Sequence, residues 1–102
     1  INGNIFDENN GGAISVDGVY QEIFNNEFIG NRSARGGAIK FEEGAIAKMV
    51  GNIFSDNMAE EYGGAVYVSY GAKVTDDFGI VLPSPDNINS YSGNYPDDVF
   101  YE

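Results

Sequence analysis

Apolar residues in this chain recur at every second position in short runs, not at the 3.6-residue spacing of a helix. Ile14 and Val16 alternate with Ala13 and Ser15, Ile39 and Phe41 with Ala38 and Lys40, and Val66 and Val68 with Ala65 and Tyr67. Strand side chains alternate between faces, so these runs read as strands of about four residues. The first residue pair of each run faces a core, and Ser15, Lys40 and Tyr67 face out. A turn follows each run, at Asp17-Gly18, Glu42-Glu43-Gly44 and Ser69-Tyr70-Gly71. Glycine supplies the positive φ of such corners, and second strands are predicted at 19–24, 45–50 and 72–75.

A third strand carries a repeated unit, Asn-x-aromatic-x-x-Asn. Its four copies hold Asn4, Phe6 and Asn9, then Asn26, Phe28 and Asn31, then Asn52, Phe54 and Asn57, and finally Asn89, Tyr91 and Asn94. Three copies are followed by Gly-Gly-Ala and a β-branched residue: Gly11-Gly12-Ala13-Ile14, Gly36-Gly37-Ala38-Ile39 and Gly63-Gly64-Ala65-Val66. In the fourth copy Asp97-Asp98-Val99-Phe100 breaks the glycine pair. The copies begin 22, 26 and 37 residues apart, so the last holds an insertion, placed at about 78–87. Turn formers alone would also suit hairpins of an antiparallel sandwich. Four copies of one pattern, three with the same companion, argue instead for a solenoid.

The expectation is therefore all-β: a right-handed, single-stranded parallel β-helix of about four rungs. It forms one domain over 1–102, with repeats at about 1–24, 25–50, 51–75 and 76–102. Stacking the rungs places Phe6, Phe28, Phe54 and Tyr91 in one inward column. Asn4, Asn26, Asn52 and Asn89 form a second, and Asn9, Asn31, Asn57 and Asn94 a third. A lone buried amide costs about 1–3 kcal/mol. In a ladder each Asn, with donors and an acceptor, satisfies the next.

The pairing of Phe-x-x-Asn with Gly-Gly-Ala-Ile/Val resembles the repeats of the chlamydial polymorphic outer membrane protein family, whose general architecture is pectate-lyase-like. Phe6/Asn9 with Gly11–14, Phe28/Asn31 with Gly36–39, and Phe54/Asn57 with Gly63–66 carry the resemblance, over roughly residues 1–70. It weakens beyond, where Tyr91 replaces Phe and Asp97-Asp98 replaces Gly-Gly. The resemblance implies a secreted or cell-surface location and surface-exposed passenger segments that are often adhesins. Neither a translocator barrel nor an anchor is read from these residues, so an autotransporter assignment does not follow.

Charge narrows the partners. With 16 acidic and 5 basic residues the net charge is −11. No nucleic-acid partner is expected, because phosphate binding needs a basic face. No stretch approaches a membrane-spanning length. Without Cys or His, thiolate chemistry and imidazole bases are excluded.

Catalysis is not expected. Arg32 and Arg35 share one corner, where Arg35 beside Glu8 or Glu60–Glu61 reads as a surface ion pair, and adjacent acids on strands point to opposite faces. Asp7 with Asp56 is the best carboxylate pair across rungs for a polysaccharide hydrolase, and it reads more simply as solvated charge. No cofactor is expected. Calcium is considered for Asp7, Glu8, Asp56, Glu60 and Glu61, which fall in equivalent corners. A glycan is considered too, because Tyr20, Tyr62, Tyr67 and Tyr70 offer rings for stacking. The apolar Phe78, Ile80, Val81 and Leu82, ahead of Pro83 and Pro85, fold over the last rung or contact a partner, and 99–101 carry the same ambiguity. Because Ile1 opens directly onto a motif, a protein partner or further rungs of the same chain are expected to precede it. The reading is a non-enzymatic structural, adhesive or assembly module. The alternatives are a carbohydrate-binding or polysaccharide-active β-helix and a soluble accessory subunit of a larger complex.

Overall fold

A computed structural model describes residues 1–18, 20–75 and 89–102. Among these are thirteen strands and no helix: β1 (Ile5–Asp7), β2 (Ile14–Val16), β3 (Tyr20–Phe24), β4 (Glu27–Ile29), β5 (Arg32–Arg35), β6 (Ile39–Phe41), β7 (Ile46–Val50), β8 (Ile53–Ser55), β9 (Met58–Tyr62), β10 (Val66–Val68), β11 (Lys73–Thr75), β12 (Ser90–Ser92) and β13 (Val99–Tyr101). Every strand pairing is parallel. The sheets run β1-β4-β8-β12, β2-β6-β10-β13, β3-β7-β11 and β5-β9. Neighbours in each sheet are equivalent strands of successive repeats, which is consistent with a β-helix.

The register follows the motif. Phe6 pairs with Phe28, Phe28 with Phe54, and Phe54 with Tyr91. Ile14, Ile39, Val66 and Val99 form one apolar row, with Val16, Phe41, Val68 and Tyr101 two residues on. A one-residue slip would turn each row outward, so the period-two pattern sets the register. Phe28, Phe41, Phe54, Ile39, Val66 and Met49 are fully buried. Each such side chain contributes about 1.5–3 kcal/mol of burial.

Two sequence expectations change. The fourth sheet, β5-β9, occupies a stretch expected to be a plain corner. Between the second Asn and the first Gly lie four residues in the second repeat (32–35) and five in the third (58–62), against one, Asn10, in the first. Only the longer corners have room for a strand. The extra residue in β9 leaves Ala34 outside the register, which runs Arg32–Met58, Ser33–Ala59 and Arg35–Tyr62. The second change is in the last repeat. Asp97-Asp98-Val99-Phe100 does not align residue for residue with Gly-Gly-Ala-Ile/Val, because β13 pairs with β10 with Val99 opposite Val66, which places Asp97 opposite Gly64 and Asp98 opposite Ala65. The insertion at 78–87, with Phe78, Ile80, Val81 and Leu82, lies outside the described residues.

Candidate functional site

The repeated residues converge on the interior. Phe6, Phe28, Phe54 and Tyr91 stack with centroids 4.9, 4.8 and 5.2 Å apart and planes within 8°. Parallel strands in register hold the rings at this offset-stacked spacing.

Two asparagine ladders flank the stack. Asn26 N and Nδ2 both donate to Asn52 Oδ1, at 3.0 and 3.1 Å, and Asn52 N and Nδ2 both donate to Asn89 Oδ1, at 3.1 and 2.9 Å. The second N–H of Asn52 Nδ2 reaches back to the Ile23 carbonyl at 2.7 Å. The other ladder repeats this. Asn31 donates twice to Asn57 Oδ1, Asn57 donates twice to Asn94 Oδ1, and their remaining N–H groups meet the Phe6 and Phe28 carbonyls. Each inner amide thus spends both donors and its acceptor along the stacking direction. Asn31 also sits in an Asn-Arg-Ser acceptor sequence for N-glycosylation. Its side chain is fully buried, so that chemistry has no access.

The glycine pair does two jobs. Gly36 and Gly63 take φ of 69° and 71°, which turns the corner. Gly37 and Gly64 lie against the next repeat, where a Cβ on Gly64 would meet Tyr95 N at 2.5 Å and Asp97 O at 2.6 Å. β13 is the edge strand of its sheet, so Asp97, opposite Gly64, can stand where glycine stood.

Carboxylates gather at the C-terminal face. Asp97 Oδ1 accepts from Gly63 N at 2.7 Å and Gly64 N at 3.3 Å. Asp98 Oδ1 takes an N–H of Asn94 at 3.2 Å, where a further Asn would otherwise accept. Glu102 accepts from the Tyr70 amide at 3.0 Å and the Tyr67 hydroxyl at 2.9 Å. The Tyr70 amide first, then the Tyr67 hydroxyl, hold the Glu102 carboxyl below its usual range.

Two expectations about exposed chemistry are corrected. Tyr67 was expected to face solvent as a stacking ring, but it is 2 % exposed. It points out of its sheet and is covered there by Phe100, 5.8 Å away, and by the Arg35 guanidinium, 5.7 Å from the ring centroid. Tyr20, Tyr62 and Tyr70 are exposed. Asp7 does not share a column with Asp56. It pairs with Ile29, while Asp56 holds the corner position of Glu8, both with positive φ. The two acids stand one and two places after their aromatic residues, so alternation separates them. The expected surface ion pair of Arg35 forms with Glu61, at 3.2 Å. Among the described residues no three acids gather as a metal site.

Tyr91 closes the aromatic stack with a hydroxyl that is buried and, among the described residues, without a hydrogen-bond partner. Burial, then Tyr101 and Asp98, raise its pKa. Tyr91→Phe removes the orphaned group and keeps the ring. It is expected to hold or raise stability by about 1 kcal/mol in urea unfolding; a loss of that size would show that the hydroxyl has a partner.

Phe54 of the stack, Asn57 of one ladder and the Gly63-Gly64 corner lie together in one segment, 53–69. Those residues match the Chlamydia polymorphic membrane protein repeat. The match spans Phe54, Asn57 and Gly63 through Val66, and points to a surface or outer-membrane protein. No curated protein and no solved structure matches the chain.

Sequence reading missed the β5-β9 outer face. The signal was available in the unequal lengths between each second Asn and its Gly-Gly, since repeat-specific insertions collect on one face of a solenoid.

Proposed function

We propose that this chain is a right-handed, single-stranded parallel β-helix of about four rungs, serving as a non-enzymatic structural module of a cell-surface protein. In this role it holds an outer face away from the surface, for adhesion or for assembly. Right-handed crossovers between parallel strands are the strong rule. The observation that carries the reading is that the motif residues are spent on axial stacking, with none left to make a reactive centre.

The two end faces support an assembly role. At the N-terminal face Phe6 is half-buried and Asn4 and Asn9 are exposed, while their inner counterparts are buried. Asn4 Oδ1 and Asn9 Oδ1 accept no hydrogen bond among the described residues. A protein partner, or further rungs of the same chain, would donate to both and complete the ladders. At the opposite face carboxylates accept instead: Asp98 from the ladder residue Asn94, Asp97 from the Gly63 and Gly64 amides, and Glu102 from the Tyr70 amide.

Antibodies against the chain test the location on intact, non-permeabilised cells of its source. Surface labelling, abolished by brief external protease, is expected. Labelling that needs permeabilisation would overturn the surface reading.

A further inference from the structure

We infer that the outer face of the β5-β9 sheet is a binding site for a neutral oligosaccharide. The proposal goes beyond the structural role above, because it assigns a ligand to one face.

Three pairings set the site. Asn10 bridges to Arg32, Arg32 pairs with Met58, and Met58 bridges to Tyr95, all parallel. Parallel partners point the same way, so these four side chains form one row along the stacking direction, spaced about 4.8 Å apart. Ala59, the next residue in β9, points inward and is buried, so Met58 and Glu60 share the outer face. An open depression of about 360 Å³ lies there, lined by Asn10, Arg32, Met58 and Glu60 among others. It exists because the first repeat has only Asn10 where the second has four residues. A second depression, of about 410 Å³, adjoins it at Gly11 and Ser33 and carries the Lys40–Glu42 ion pair.

The side chains suit a sugar. Tyr95 is 68 % exposed and, with Met58, offers an apolar platform to a pyranose face. Asn10, Arg32 and Glu60 are planar groups with open donors and acceptors, the kind that grip adjacent hydroxyls in pairs. The Arg32 side chain makes no ion pair or hydrogen bond among the described residues, in a chain of net charge −11. Other ligands fit less well. A peptide needs a recess for an apolar anchor, and only Ala34 and Met58 line this one with carbon. An acidic glycan would meet Glu60 and the overall negative field.

The test is a titration of the isotopically labelled chain, followed by NMR, with neutral hexasaccharides (β-1,4-glucan, α-1,4-glucan, mannan and galactan) and with an oligogalacturonate. At least one neutral sugar is expected to shift Arg32 Nε, the Asn10 side-chain amide and the Tyr95 ring together. Arg32→Ala and Tyr95→Ala are each expected to weaken that binding by about tenfold or more, with the other resonances unmoved. Tyr20→Ala, an exposed tyrosine on another sheet, should bind as the parent does. The proposal is overturned if no neutral sugar shifts these groups at millimolar concentration. It is also overturned if only the galacturonate binds, or if Arg32→Ala and Tyr95→Ala bind as the parent does.

Discussion

Asn57→Leu is expected to lose about 4 kcal/mol of folding stability and to leave the chain close to unfolding at room temperature. Leucine matches the volume and fits the buried surroundings, so a purely hydrophobic account predicts little harm. The hydrogen bonds say otherwise. Asn57 Oδ1 accepts from Asn31 N at 2.9 Å and from Asn31 Nδ2 at 3.0 Å. Its Nδ2 donates to Asn94 Oδ1 at 2.9 Å and to the Phe28 carbonyl at 3.0 Å. Leucine strips the partners from two buried donors of Asn31 and from the Phe28 carbonyl. Each orphaned group costs about 1–3 kcal/mol, and a domain of this size holds about 5–15 kcal/mol in all. Asn9→Leu is the contrasting variant. Asn9 is exposed and stands at the end of the same ladder, so about 1 kcal/mol or less is expected. Urea unfolding of the two variants beside the parent checks both values. Equal losses would mean that the ladder does not strengthen inward from its end.

The second large effect belongs to Gly37. A Cβ there would fall on the carbonyl oxygens of Gly64 and Met58, the latter at 2.7 Å. Both obstacles are backbone of the next repeat and cannot rotate away. Gly37→Ala must therefore push two repeats apart across the β6–β10 pairing, at a cost of about 3 kcal/mol. Asp98→Ala, opposite Ala65 on the edge strand, places no new atom against a neighbouring repeat and should shift the unfolding midpoint only slightly. If Gly37→Ala proves as mild as Asp98→Ala, the close approach of successive Gly-Gly corners is wrong.

These two predictions show why the interior was readable from sequence. A parallel stack in register makes each column a list of chemically similar residues, so a repeat at 22 to 37 residues already names the neighbours. The Phe column, both Asn ladders and the three strand rows were legible for that reason. The surface was not, because outward positions do not have to match between repeats. Tyr67 illustrates this. Alternation correctly turned it out of its sheet, but its cover comes from Phe100, Arg35 and Glu102, one of them 35 residues away in sequence. The β5-β9 face illustrates it again, since its groove arises from a difference in corner length between repeats and not from a motif. The role of Asp97 was hidden for a third reason. An acid in place of glycine looks like a broken repeat until its carboxylate is seen on the amides of Gly63 and Gly64.

The central claim is that the repeats stack through continuous side-chain amide ladders. Hydrogen exchange of the asparagine side-chain amides, followed residue by residue by NMR, tests it most directly. The stacked structure predicts that Asn26, Asn31, Asn52 and Asn57 exchange only on global unfolding, while Asn4 and Asn9 at the open face exchange quickly. Free exchange of the four inner amides would contradict it.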